Sequence, residues 1–498
     1  MIKNIGSNWF LMALTAITTY VLMPFNLNSL GNENYGIWLI ISSITAYLFL
    51  LHLGVPMASV RELTQAIALK DDERINRIVT SCGLLYLVFG VVVMLLGVPL
   101  YFFFVYTYEI PLPVRGEARA AFVISLMQTG LAFIATMPYA ILSAYESFVA
   151  KNVLMAIVLI VRTIVNIVLV LMYPSFITLG ILMLIATVFE MVLAWGYIFR
   201  TYPVIRPRLS LFSMETVRGI FGFSIWVFLM ALGSQLAFQT SPLIIGHYMT
   251  SADVPSVAVP NSLMLILMQF VGGIASVIMP VATNMQTTGD FATLRHVYFK
   301  WTKISLALSV CAGLFLVIFG PSFLKFWIGP SYTPESGAVL QILAASYMVF
   351  LPVRGVAVPV LMGLGHAKWP TIATLTAGVM NLGMSIALVG PYGLEGVAWA
   401  MAIPNVLLSV VLAILACRAL KITPARYLAT IFPLAIIATG AAFVTLALWS
   451  EIWRPHGMFG LAVAGVLTMG VCVVLWTELV LRDDPHVKAP RLSLLLRG

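Results

Sequence analysis

LGNENYGIWLIISSITAYLFLLHLGVPMASVREL, residues Leu30 to Leu63, passes from a polar turn into an apolar stretch and stops on Arg61-Glu62. The apolar part, from about Ile37, matches the roughly 20 residues that a helix rising about 1.5 Å per residue needs to cross about 30 Å of hydrocarbon. His52 interrupts it. Outward from this stretch the whole chain reads the same way: of its 498 residues 61% are hydrophobic and only 9% are charged. Soluble domains run at about 45–50% apolar and about 25% charged, so this chain cannot cover a water-facing surface and must use lipid as its solvent. Helices satisfy their own backbone in lipid, and the expected fold class is all-α, a polytopic membrane protein.

The same ruler gives fourteen spans, beginning near Asn8, Ile37, Ile78, Ala118, Asn152, Phe176, Gly219, Val254, Trp301, Gly337, Trp369, Leu394, Tyr427 and Met458. The connections are short and leave no room for a soluble domain. Of the 27 Lys and Arg residues, 21 fall on one side of this topology, among them Lys3, Lys303 and the tail residues Arg482 to Arg497. Four (Arg115, Arg119, Lys325 and Arg454) fall on the other, and Arg162 and Arg354 lie inside spans. That asymmetry predicts cytoplasmic termini and accounts for the net charge of +9 without nucleic acid. Cys82, Cys311, Cys417 and Cys472 have no paired spacing and read as small core residues. The apolar run from about Trp9 to Leu30 is too long for a signal-peptide core, so it is expected to stay as the first span.

The connector RTYPVIRPRLSLFSMETVR, Arg200 to Arg218, divides the first six spans from the next six and reads as a solvated link. The expected organisation is an N-terminal six-helix bundle (1–199), a cytoplasmic linker (200–218), a C-terminal six-helix bundle (219–420), two further helices (421–482) and a cytoplasmic tail (483–498). LSAYESFVAK (Leu142–Lys151) and LMGLGHAKWP (Leu361–Pro370) occupy equivalent places in the two halves. With six spans each, the halves would form a parallel, pseudo-symmetric repeat, and in such transporters substrates bind between the repeats.

The Leu30–Leu63 stretch pairs Leu30-Gly31 and Tyr35-Gly36 with Leu53-Gly54 and a following basic residue. It resembles the second-span signature of the bacterial polysaccharide flippases of the O-antigen, Wzx type, in the multidrug/oligosaccharidyl-lipid/polysaccharide exporter superfamily. FLKFWIGPSYTPES (Phe323–Ser336) and GLGHAKWP look like further family segments. The resemblance implies a non-enzymatic flippase in the bacterial inner membrane. Its cargo would be an undecaprenyl-pyrophosphate oligosaccharide, moved by alternating access for O-antigen, capsule or exopolysaccharide assembly. It implies no cofactor, coupling to H+ or Na+, and a polysaccharide polymerase and chain-length regulator as partners beside the membrane lipids. Where the family commonly carries an acid, this chain has His52, which can take a proton but cannot bind sodium as a carboxylate does.

Such a cargo needs a cationic cavity. Arginine at membrane depth costs at least about 2.5–3.5 kcal/mol and should face a cavity or a partner, and its fork matches phosphate oxygens. Arg162 and Arg354, one in each half, are the candidates to clasp a pyrophosphate. Glu190 in span six is both a candidate proton-coupling group and a candidate ion-pair strut for Arg162. Pro352 and Pro359 suggest an interrupted helix around Arg354. Asn166, one turn from Arg162, and Gln235 and Gln239, at i and i+4 on span seven and therefore on one face, are candidates to hydrogen-bond sugars; Thr15, Thr18 and Thr19 give span one a polar stripe. The alternative for all of these is glue between helices. His52 reads as hydrogen-bonded structure or as a proton relay, and Arg61 as a topology anchor or as a capture point for phosphate.

Enzyme classes find little support. The chain has no GxxxxGK[ST] loop, no HExxH and no cluster with metal-ligand spacing. The rival transport reading is ion-coupled export of amphiphilic drugs, whose cavities favour acidic and aromatic linings over the two arginines found here.

Overall fold

The computed structural model describes residues 2–221, 225–453, 455 and 457–481. The expected tail 483–498, Arg482 and Arg454 therefore lie outside the described residues. Fifteen α-helices follow in order among those described: α1 Ile2–Leu48, α2 Val55–Ala68, α3 Asp72–Thr107, α4 Arg115–Ala144, α5 Phe148–Met172, α6 Phe176–Thr201, α7 Met214–Phe221, α8 Ile225–Phe238, α9 Ser241–Tyr248, α10 Pro255–Thr288, α11 Phe291–Ile328, α12 Pro334–Gly363, α13 Lys368–Ala419, α14 Pro424–Ile452 and α15 Gly457–Trp476.

Eleven helical segments are long and apolar enough to cross a membrane, and the bent pair α8 and α9 makes a twelfth. Two of the eleven are folded in the middle, at Gly31 in α1 (φ 78°) and at Gly393 in α13 (φ 55°). Only glycine takes that conformation without strain, so each of these is two helices joined at a glycine. Counted as two crossings each, these two bring the twelve to the fourteen expected, and the chain is a multi-pass all-α membrane protein.

α3 shows why these segments stay in lipid. Leu87, Val88, Val91, Leu95, Val98 and Phe102 are exposed along one face, while Cys82, Tyr86, Phe89, Val93 and Phe104 are buried on the other. Both faces are apolar, as a helix between protein and hydrocarbon must be. Polar caps mark the ends: Asp71 accepts from the Arg74 N–H, Thr333 from Ser336 and Thr423 from Arg426.

Two compact units form. The first holds residues 1–235 and 242–255, the second residues 236–241 and 256–498. In the first, α1 packs on α5, α3 on α4, and α4 on α6; in the second, α11 packs on α12, α12 on α13, and α15 on α11 and α14. The division falls inside the broken seventh span. The connector is not free either. The Arg206 N–H donates to Asn76 Oδ1 at 2.5 Å, Asn76 Nδ2 donates to the Val204 carbonyl at 2.9 Å, and the Ser213 N–H donates to Ser81 Oγ at 3.0 Å. Val204, Arg206 and Ser213 of the connector are thus tied to α3.

The first unit also explains the Tyr35-Gly36 part of the motif. The turn Ser251–Asp253 sits directly on α1, and a Cβ on Gly36 would lie 1.7 Å from the Ser251 carbonyl oxygen. No side chain fits there.

Candidate functional site

In the first unit a polar seam runs along α6 where it meets α4 and α5. Thr187 accepts from Gln128 Nε2 of α4 at 3.1 Å, and Met183, one turn earlier, receives Arg162 Nη1 of α5 on its sulfur at 3.7 Å. Glu190 follows Thr187 by one turn and is the neighbouring charge to both Arg162 and Tyr139. Asn166, one turn beyond Arg162, is buried, with its side-chain oxygen lacking a hydrogen-bond partner. α5 and α6 build this seam because Arg162 and Asn166 share a face at i and i+4, as do Met183 and Thr187.

Arg162 and Glu190 thus meet in one region, but without an ion pair within 4.0 Å. A strut would bring the two charges into contact. Here the guanidinium rests on a weakly accepting thioether, and its fork stays open to a stronger acceptor.

In the second unit Arg354 lies on α12 with its guanidinium carbon 5.1 Å from the Phe238 ring centre and 5.5 Å from that of Phe350. Phe350 precedes it by one helical turn, so the second contact is local and could have been found from spacing alone. The first depends on the break after α8, which carries Phe238. Arg354 is the charged member of the wall of a cavity of about 230 Å³ between α10 and α12, otherwise lined by Met268, Val271, Gly272, Leu351 and Val358 among others. The expected interruption of this helix does not occur: α12 is continuous through Pro352 and Pro359.

The glutamine pair on span seven is also corrected. α8 ends at Phe238, so Gln235 is helical while Gln239 sits in the bend before α9, which departs by 44°. They share no helix face. Gln235 Nε2 is buried without a hydrogen-bond partner. The threonines of span one turn inward on their own helix: Thr15 donates to the Leu11 carbonyl and Thr18 to that of Thr15.

His52 closes a short 3-10 turn, Phe49–His52, after which Leu53 and Gly54 both take left-handed backbone and α2 starts with Pro56 in its first turn. The path to Arg61 is therefore broken before Pro56. The imidazole stacks on Phe133 at 3.9 Å and 8°, with Nδ1 2.9 Å from the Phe49 carbonyl and Nε2 3.2 Å from Thr136 Oγ1. Both nitrogens have a partner, as the structural reading of His52 requires. Arg61 is exposed on α2 and pairs with Glu62 at 3.1 Å; Glu62 also holds Arg74 of α3 at 3.1 Å. This surface network ties α2 to α3, away from the buried seam.

Several residues of these surroundings carry no signal in the sequence. Tyr139, Gln128 and Thr187 look like ordinary span residues until α4 and α6 pack. Lys303, counted with the topology charges, is only 4% exposed in α11. Among the described residues no group of His, Cys, Asp and Glu could hold a metal ion.

In fold the chain is similar to solved transporters of the multidrug/oligosaccharidyl-lipid/polysaccharide superfamily. The chain is similar to the lipid II flippase MurJ in its inward closed conformation, at 14% identity and TM-score 0.72 over 96% of this chain and 99% of that one. It is similar to an inward-facing multidrug resistance MATE transporter at 15% identity and TM-score 0.71, over 81% and 94% of the two chains. A superfamily transporter from Pyrococcus furiosus matches at 16% identity and TM-score 0.63, over 84% and 96%. No curated protein sequence matches it significantly. Within this fold the chain belongs to the polysaccharide biosynthesis protein family, whose model matches residues 30–336.

Proposed function

We propose that the protein is a flippase carrying undecaprenyl-pyrophosphate-linked oligosaccharide repeats from the cytoplasmic to the outer face of the bacterial inner membrane, for cell-surface polysaccharide assembly. The observation that carries this reading is a membrane-depth arginine in each unit of a polysaccharide biosynthesis protein. Arg162 lies on the α5–α6 seam and Arg354 on a cavity wall. An anionic head group is the ligand each guanidinium suits best. Asn166 and Gln235, each with a buried amide atom lacking a partner, would meet sugar hydroxyls. Gln239, freed from helix geometry, would be a further contact.

Cargo and head group must bind the inward- and outward-open states unequally for net movement, since a ligand that binds both states equally shifts nothing. Glu190 would carry a coupling proton, its charge being the one nearest to Arg162 in the seam. Orientation with both termini in the cytoplasm rests on the charge bias, and a polymerase and chain-length regulator would receive the product.

The test is flipping of a pyrophosphate-linked oligosaccharide lipid in proteoliposomes by wild type, Arg162→Ala and Arg354→Ala. Loss of flipping in the folded variants supports the cationic site; normal flipping by both removes it. A wild type inert toward several such lipids but able to move an amphiphilic cation would establish drug export instead.

A further inference from the structure

The connector between α6 and α7 is docked on α3 rather than free. Its main chain is fixed along Asn76–Ser81 of α3: the Arg206 N–H on Asn76, the Arg208 N–H on Thr80 at 3.2 Å and the Ser213 N–H on Ser81. Those six residues are the point where α3 changes character. Asp72, Glu73 and Arg74 come before them and Arg77 is the last charge among them; from Cys82 to Thr107 no residue is charged. In a spanning helix that change marks the boundary between head groups and acyl chains.

The outward side of the connector fits the same depth. Ile205 and Val217 are buried and seat it on the unit, while Leu209 is 76% exposed, Met214 53% and Phe212 45%. Between them Arg206, Arg208 and Arg218 are also exposed. None of the three forms an ion pair with a described carboxylate within 4.0 Å. Glu215 is the one acidic residue from Pro203 to Arg218. Apolar and basic side chains interleaved on a segment held at the interface are what an amphipathic membrane anchor shows. The lipid-facing stripe of α3 continues directly from Leu87.

We propose that the face formed by Leu209, Phe212, Met214, Arg206, Arg208 and Arg218 is a binding site for anionic phospholipids of the protein's own bilayer: the three arginines hold head-group phosphates and the three apolar side chains enter the acyl boundary. An acidic protein partner is disfavoured by depth, because the exposed apolar residues lie level with the membrane boundary. The site is independent of which cargo is carried.

The bonds to α3 are made by main-chain groups of the connector, three N–H donors and the Val204 carbonyl, and the Arg206 Nε bond to the Pro203 carbonyl stays within the connector, so changing the arginine side chains leaves it docked. The full-length protein is placed in nanodiscs of phosphatidylcholine alone or of phosphatidylcholine with phosphatidylglycerol. Hydrogen exchange over residues 204–218 and retention of each lipid after partial delipidation are then measured. Each arginine near an anionic surface is expected to give about a fivefold preference, and the three together about a hundredfold. Wild type should show slower exchange with phosphatidylglycerol and retain it selectively. Arg206→Gln/Arg208→Gln/Arg218→Gln should lose both effects, and the corresponding triple lysine variant should keep them. Equal retention of the two lipids by wild type overturns the proposal. So does an unchanged preference in the glutamine variant, or protection that appears only when soluble cell protein is added.

Discussion

Replacing Gly36 by alanine puts a methyl carbon 1.7 Å from the Ser251 carbonyl oxygen and 2.7 Å from its carbon. A carbon and a carbonyl oxygen approach no closer than about 3.3 Å in ordinary contact, so the two segments must separate by about 1.6 Å. The obstacle is backbone, which cannot swing aside as a side chain does. Overpacking of this kind costs about 1–3 kcal/mol, sometimes more, and the upper end applies here. Against it stands the gain from alanine in a helix, about 1 kcal/mol. The net loss is about 2 kcal/mol or more, and for a unit of some 250 residues each kcal/mol moves a midpoint by about 2–4 °C. Thermal unfolding in detergent should therefore show Gly36→Ala about 4–8 °C below wild type. Gly196→Ala is the control. It lies in α6 with nothing within 4 Å of a new Cβ and should be unchanged or slightly raised. A Gly36→Ala protein as stable as the control would refute the contact between α1 and the Ser251 turn.

Three further outcomes follow from local geometry. His52→Phe keeps the stack on Phe133 and loses two polar contacts, while Thr136 still donates to the Ala132 carbonyl at 3.0 Å. Stability should fall by about 1 kcal/mol or less and the pH profile of transport should stay as in wild type; an altered profile would restore the relay. Gly272→Leu points a side chain into open space beside the Arg354 cavity, so folding should survive while flipping falls; unimpaired flipping would mean that cargo does not use the cavity. Asp290 caps α11, and hydrogen bonds from the Thr293 side chain and backbone hold its carboxyl below the usual range. With a lowered folded pKa, its contribution is complete above the unfolded value of about 3.9 and fades as pH falls through the folded one. The stability gap to Asp290→Ala should narrow on acidification and stay constant above about pH 5; a gap that widens in acid would contradict the cap.

The sequence carried the fold because lipid imposes a ruler. Crossings must be apolar and about 20 residues long, so even the two folds at Gly31 and Gly393, which helix assignment merges, were visible as charge-poor segments with glycine turns between them. The site was less legible, since depth can be read from spacing but neighbours cannot. Arg162 with Asn166, and Arg354 with Phe350, follow from helical periodicity. Tyr139 beside Glu190, Gln128 on Thr187 and Phe238 beside Arg354 depend on which helices pack, and no local pattern encodes that. The glutamine pair failed for a specific reason: periodicity assumes an unbroken helix, and Gln239 falls just past the end of α8. Prolines misled in the opposite direction, because α12 absorbs Pro352 and Pro359 where water would favour a break. In lipid an interrupted helix exposes backbone at high cost, and neighbouring groups instead re-satisfy the freed carbonyls.

The gap between Arg162 and Glu190 bears on what these half-buried charges are for. Two opposite charges at membrane depth attract strongly in a low dielectric, and packing that served stability alone would close them to contact. Instead the guanidinium spends its hydrogen bond on the Met183 sulfur, among the weaker acceptors a protein offers. The carboxylate, two turns along α6 from that sulfur, has Tyr139 as its neighbour. An arrangement left short of contact responds to whatever enters. Under the proposed function an anionic head group would compete for Arg162 with little to displace. Glu190→Gln, which removes the neighbouring negative charge, should then tighten binding of an anionic head group by the purified protein, and unchanged or weaker binding would contradict this reading.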